Sequence, residues 1–246
     1  MDAVLLFSGQ GAQKVGMGKD LYDQYPVAKA LIEQADKALG ESLSAVMFEG
    51  PGEELTRTCN CQPALYVHGL ACLAVLKELV PSLNPVAAAG LSLGEFTAHA
   101  AAGTYSFEEG LRLVQKRGAF MEEACNATKG TMAAMIGGTD ENVIKLAQEC
   151  DVDVANFNCP GQTVVSGTEE GVAKAVAGAK AAGCKIAKKL NVAGAYHSRL
   201  MHSAMVKLAE ELKNISFGTP SMPVYCNYEA RVVEGPDDIR SMLEHQ

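Results

Sequence analysis

Short unbroken apolar runs closed by glycine alternate along the chain with longer stretches in which apolar residues return every third or fourth position, a pattern of strand followed by helix. Ala3 to Phe7 (AVLLF), closed by Ser8-Gly9-Gln10-Gly11, predicts a parallel strand buried on both faces. Helical spacing follows over Asp20 to Leu39 and over Gln62 to Leu79. Val86 to Leu91 reads as a small-residue strand that runs into a GxSxG turn, Ser92 to Ala102 as a helix halted at Gly103, and Phe107 to Cys125 as a further helix. The first half is therefore α/β.

From Thr131 the order changes. MAAMIGG, a helix from Glu141, DVANFN, QTVVSG, a helix from Glu169 and KIAKKLNV give β-α-β-β-α-β, the ferredoxin-like split arrangement. A small α+β subdomain is expected at 126–192, inserted in a core formed by 1–125 and 193–246. Beyond it the pattern gives a helix over Ser198 to Asn214, a strand over Pro223 to Asn227 and a last helix ending near Gln246. No repeat, low-complexity tract or linker interrupts this order.

The 246 residues, 48% hydrophobic, suffice for one sizeable core with a smaller insert. A formal charge of -8 argues against broad binding to nucleic acid or anionic membrane, so an anionic substrate must be held by local cations. No apolar run approaches the roughly 20 residues of a membrane span, and Ala3 to Phe7 lacks the basic flank of a signal peptide. The expected compartment is the cytoplasm, although a processed organellar chain with a new Met1 reads the same way. The 8 cysteines are scattered without a CxxC pair, and Cys59 and Cys61 lack a second pair or nearby histidine, so neither disulfides nor a metal are expected.

Gly90-Leu91-Ser92-Leu93-Gly94 fits the nucleophile elbow, in which a strand turns sharply into a helix and exposes the serine hydroxyl. Ser92 would sit at the helix N-terminus, where free N–H groups favour a developing oxyanion. A bare GxSxG is as often a helix cap after a glycine turn; the strand before it and helix after it favour the elbow. A serine needs a base, and there are 5 histidines. His99 lies seven residues along the same helix, about 10 Å away. His68 and His202 fall inside amphipathic helices and read as structural, and His245 is terminal. His197 stands in a loop, Ala193-Gly194-Ala195-Tyr196-His197-Ser198, before a helix whose dipole would keep its imidazole neutral. A lone loop histidine is more often a surface residue, so spacing does not decide the matter. Ser8-Gly9-Gln10-Gly11-Ala12-Gln13 matches neither a dinucleotide fingerprint, since Lys14 stands where a glycine is needed, nor a P-loop, since Met17 follows Gly16. Gln10 is better placed to lend a backbone N–H, or the loop is a plain strand-to-helix turn.

Together FSGQGAQKVGMG (7–18), QPAL (62–65), GLSLGE (90–95), QKRGAFM (115–121), NFNCPGQTVVSG (156–167) and AYHSRLM (195–201) resemble the malonyl-CoA:acyl carrier protein transacylase family, whose motifs also mark the acyltransferase domains of fatty acid and polyketide synthases. The resemblance implies a hydrolase-like α/β core with a ferredoxin-like insert. It implies that Ser92 is acylated, that His197 is its base, and that the N–H groups of Gln10 and Leu93 form the oxyanion hole. It further implies that Arg117 binds the malonyl carboxylate. Met121 and Tyr196 are expected at the acyl site, where Tyr196, bulky and next to the base, should disfavour branched groups. The family's ping-pong reaction moves malonyl from coenzyme A to the serine, then to the phosphopantetheine thiol of a carrier protein, with no cofactor and no metal. Two departures stand out. Leu91 occupies a position where many members have histidine, and the chain stops at Gln246, where members continue through a core strand and a glycine-proline loop near the group that orients the histidine. A fragment or processed chain, or another way of holding His197, is expected on that account.

A serine hydrolase would share the elbow but needs an acid between serine and histidine; only Asp140, Asp151 and Asp153 offer one, all inside the expected insert. A non-catalytic carrier-docking module is the third reading, against which intact Ser92, His197 and Arg117 argue. Lys116, Lys185, Lys188, Lys189 and Arg199 are candidates for a basic docking face, or are scattered solvated cations.

Overall fold

The computed structural model describes residues 1–246. In chain order the elements are β1 (Asp2–Phe7), α1 (Lys19–Gln24), α2 (Pro26–Leu39), α3 (Leu43–Glu49), α4 (Gly52–Thr56), α5 (Thr58–Leu79), β2 (Asn84–Gly90), α6 (Leu93–Ala101) and α7 (Phe107–Ala127). They continue with β3 (Gly130–Ile136), α8 (Asp140–Glu149), β4 (Asp153–Cys159), β5 (Gln162–Thr168), α9 (Glu169–Gly178), β6 (Ile186–Lys189), a 3-10 turn at Arg199–Met201, α10 (His202–Lys213), β7 (Val224–Tyr225) and α11 (Pro236–His245). The chain divides into two compact units, Met1–Ala119 with Lys207–Gln246, and Phe120–Val206. The insert expected over 126–192 falls inside the second.

The first unit carries a parallel sheet in the order β1-β2-β7, with Phe7 opposite Gly90 and Ala89 opposite Tyr225. Leu5 and Ala88 are buried on the face that α6 covers. The expectation that β1 is buried on both faces is corrected. Leu6 is 77% exposed and Val4 56%, because side chains alternate across a strand and only one face is packed. The single helix expected over Asp20 to Leu39 is instead two. Pro26 pushes Tyr25 into the extended region, which ends α1, and its fixed φ then suits the first turn of α2. The short helices α3 and α4 carry too few turns for a periodic signal and were not expected.

Helix α5 bears on the expectation that no segment spans a membrane. By length and composition α5 is apolar enough to cross a bilayer. Ala64, Tyr66, Val67 and Ala71 are nevertheless fully buried within the first unit, as in a helix at the centre of a core.

In the second unit β3 lies between β5 and β6, all neighbours antiparallel, in the order β4-β5-β3-β6. Thr139 and Thr168 cap α8 and α9 by accepting from Asn142 N–H and Gly171 N–H, and acidic residues fill each first turn. Ala133, Met135, Val143, Leu146, Val165 and Val172 form the core between this sheet and its helices.

Candidate active site

At the turn from β2 into α6, Ser92 takes φ 52° and ψ −107°, a conformation that costs a non-glycine residue about 1–3 kcal/mol and persists only where its surroundings impose it. The flanking glycines explain how the chain gets there. A Cβ on Gly90 would lie 2.0 Å from the carbonyl carbon of Gly94, and one on Gly94 would lie 2.2 Å from the carbonyl oxygen of Phe7. Both are positions where backbone meets backbone, so the GxSxG spacing is a packing requirement of the elbow.

Leu93 opens α6, so its N–H has no acceptor within the helix, whereas Gly94 and Glu95 donate back to the carbonyls of Leu91 and Ser92. The loop after β1 packs directly on the elbow: a Cβ on Gly9 would lie 2.4 Å from the Leu91 carbonyl oxygen. Gln10, half-buried, is the next residue. Leu91 itself is exposed.

Arg117 on α7 is 6% exposed. Its guanidinium donates from Nη1 to Gln62 Oε1 at 2.7 Å and from Nη2 to Ser92 Oγ at 3.1 Å and to Gln246 Oε1 at 2.8 Å. Its Cζ stands 5.0 Å from the Phe96 ring centroid, within range of a cation–π contact. Burial lowers its pKa to about 10, with the charge of Glu95 opposing, so it remains a cation near neutrality. Glu95 is fully buried, and burial pushes its carboxyl up to about 7, against the bonds from Asn227 and Gln246 and the charge of Arg117. Its Oε2 accepts from Asn227 N–H at 2.9 Å and from Gln246 Nε2 at 2.6 Å, while Oε1 has no partner.

Sequence reasoning named Ser92 and Arg117, which the structure brings into contact, but gave no role to Gln62, Glu95, Asn227 or Gln246. Gln62 and Glu95 stand inside quoted motifs, which is the signal that was there. Asn227, in the turn after β7, and Gln246, at the end of α11, lie far along the chain, and only the fold brings them to α6.

His197, Met121 and Tyr196 belong to the second unit. His197 has φ 55°, in a loop held at both ends. Ser198 Oγ donates to the Ala195 carbonyl at 2.6 Å, and Arg199 N–H donates to Asp153 Oδ2 at 2.8 Å. The Arg199 side chain adds bonds to Asp153 and to Asp151. Tyr196 and Met121 are buried in one cluster with Ala124, Met132, Val164, Met201 and Ala204.

Of the other histidines, His99 is fully buried on α6, with Nδ1 3.2 Å from Thr104 Oγ1, and burial pushes its pKa down to about 4. His68 is likewise lowered by burial, against the charge of Asp20. His202, expected as a structural residue inside an amphipathic helix, is exposed at the first position of α10.

The acids that a hydrolase triad would require are engaged elsewhere: Asp140 accepts from Thr163 Oγ1, and Asp151 and Asp153 pair with Arg199. The same pairs alter the expected basic face. Arg199, Lys116 with Glu211, and Lys189 with Glu169 are all matched by carboxylates, so their fields are largely local.

Residues 4–241 match the acyl transferase domain family. The chain is 44% identical to a malonyl CoA-acyl carrier protein transacylase of Bacillus subtilis, over 98% of this chain and 77% of the relative. Among solved structures, the malonyl CoA-acyl carrier protein transacylase of Coxiella burnetii superposes with a TM-score of 0.94 at 36% identity, covering 98% of this chain and 78% of that one. A malonyl-transacylase in complex with its type II PKS acyl-carrier protein superposes with 0.93 at 36% identity, covering 98% and 79%.

Proposed function

This chain belongs to the acyl transferase domain family, and on that premise we propose that it transfers a malonyl group from malonyl-CoA to the phosphopantetheine thiol of an acyl carrier protein, through an ester on Ser92. The observation that carries this reading is the buried Arg117 cation 3.1 Å from the Ser92 hydroxyl. A nucleophile beside a desolvated guanidinium suits an acyl group that ends in a carboxylate, because paired planar donors match two carboxylate oxygens.

In the proposed reaction His197 takes the Ser92 proton as the oxygen attacks the thioester carbonyl. The N–H groups of Leu93 and Gln10 hold the resulting oxyanion, an assignment that the helix-opening position of Leu93 and the packing of Gly9 on Leu91 support. Collapse breaks the C–S bond and expels the coenzyme A thiolate, which takes the proton from His197. The carrier's thiol then repeats the attack on the malonyl ester and leaves Ser92 free. Arg117 holds the malonyl carboxylate in both halves, with its present partners Gln246 and Ser92 giving way. Met121 and Tyr196 are read as lining the acyl site.

The strand and helix order of the second unit supports its reading as a ferredoxin-like insert, and the burial of α5 supports its reading as a core helix and not a membrane span. No observation favours hydrolysis. The test is transfer: with malonyl-CoA and catalytic amounts of the protein, holo acyl carrier protein should become malonylated and the apo form, which lacks the thiol, should not. Release of free malonate at the same rate with or without carrier would refute it.

A further inference from the structure

Asn227, in the turn two residues past β7, spans the elbow. Its side chain accepts from Ser92 N–H through Oδ1 at 2.5 Å and donates through Nδ2 to the Gly90 carbonyl at 2.6 Å. These are the two backbone groups on either side of the sharp turn, and they belong to residues 135 and 137 positions away in sequence. Asn227 is itself fixed: its N–H donates to Glu95 Oε2 at 2.9 Å, and Cys226 N–H bonds to the Arg231 carbonyl at 2.9 Å. The bonds form a closed ring, from the strand end through Asn227 to the elbow, along the first turn of α6 to Glu95, and back to Asn227.

We propose that Asn227 is a positioning residue for the reaction, a staple that holds Ser92 in its strained conformation and aims the hydroxyl. The amide suits this task because it offers one acceptor and one donor on a single flat group. It satisfies an N–H and a C=O that the elbow turns away from sheet and helix alike. It also ties up the Ser92 N–H, so that the oxyanion must look to the next amide, that of Leu93. Glu95 acts one step further out, by fixing the Asn227 backbone.

The inference rests on Ser92 being the nucleophile, and its test separates the two claims. The rate of malonyl-ester formation from malonyl-CoA is followed by rapid quench and intact mass in wild type, Asn227→Ala and Asn227→Asp. The fraction of sites labelled at completion gives the folded, competent population. Asn227→Ala should label to completion but at least about tenfold more slowly, with the half-saturating malonyl-CoA concentration unchanged, because the loss lies in orientation and not in binding. Asn227→Asp keeps the acceptor for Ser92 N–H and should recover part of the rate.

A merely structural residue would lower the labelled fraction and leave the rate per labelled site untouched, and that result would overturn the proposal. Should the alanine protein fail to fold, the wild type supplies the evidence by itself: the Ser92 amide should exchange with deuterium at least about tenfold more slowly than an unprotected loop amide. Exchange at the unprotected rate would also overturn the staple. Wild-type protein that malonyl-CoA never labels would remove the functional reading and this inference with it, whereas a labelled wild type matched in rate by Asn227→Ala would remove only the inference.

Discussion

Arg117 Nη2 lies 3.1 Å from Ser92 Oγ, which puts a buried cation in hydrogen-bonding contact with the proposed nucleophile. A cation there distinguishes acyl groups by their far end. Arg117→Ala should lower kcat/KM for malonyl-CoA by at least about tenfold, some 1.4 kcal/mol, and leave that for acetyl-CoA level or higher. Lysine should restore only part of it, as a point charge without the planar fork. Steady-state kinetics with the two thioesters decide the matter, and equal losses for both would mean that Arg117 supports the fold and does not read the carboxylate.

The elbow glycines are hemmed in by backbone atoms. Gly94→Ala would drive a Cβ to 2.2 Å from the Phe7 carbonyl oxygen, a backbone atom with little room to move, and should cost about 1–3 kcal/mol in urea denaturation along with most of the activity. By contrast, Gly52→Ala adds a Cβ at an ordinary 3.8 Å from Val15 and should be neutral or stabilise by up to about 1 kcal/mol.

Glu95 gives stability a pH signature. Burial holds its carboxyl at about 7 against an ordinary 4.5, so the folded protein keeps a proton that the unfolded chain releases between those values. This group alone therefore makes stability fall as pH rises from about 4.5 to 7. His99, pushed down to about 4, works oppositely, and its contribution is lost as pH falls from 6.5. Comparing Glu95→Gln with wild type cancels His99. The variant should gain on wild type by up to about 3 kcal/mol between pH 4.5 and 8. A stability difference independent of pH would contradict the buried-carboxyl account.

The loop bearing His197 depends on Asp153, which accepts from both the backbone and the side chain of Arg199. His197→Ala should slow acylation by at least about a hundredfold, the lower end for loss of a general base. Asp153→Ala should slow it less and leave malonyl-CoA binding intact, because the base is present but poorly held. A His197→Ala protein that acylates at the wild-type rate would exclude the histidine from the chemistry.

Legibility followed the range of the interactions involved. The elbow could be read because its glycines are a local requirement, as the Gly90 and Gly94 contacts show. The β-α-β-β-α-β order of the second unit could be read because each strand and helix carries its own period and its own turn or cap residues. The exposed face of β1 could not: AVLLF is apolar at every position, and alternation is invisible where nothing alternates. Tyr25 and Pro26 did announce a break that the long helical period concealed. The bonds from Asn227 and Gln246 to Glu95 were out of reach, since one polar residue in a late turn or at a helix end looks like any other until the fold carries it across the chain.

The central claim is that Ser92 carries the acyl group. Incubation of the purified protein with malonyl-CoA, followed by intact-mass spectrometry and peptide mapping, should show one malonyl ester, located at Ser92 and absent from Ser92→Ala. Label retained by the alanine protein, or found at another residue, would contradict the account.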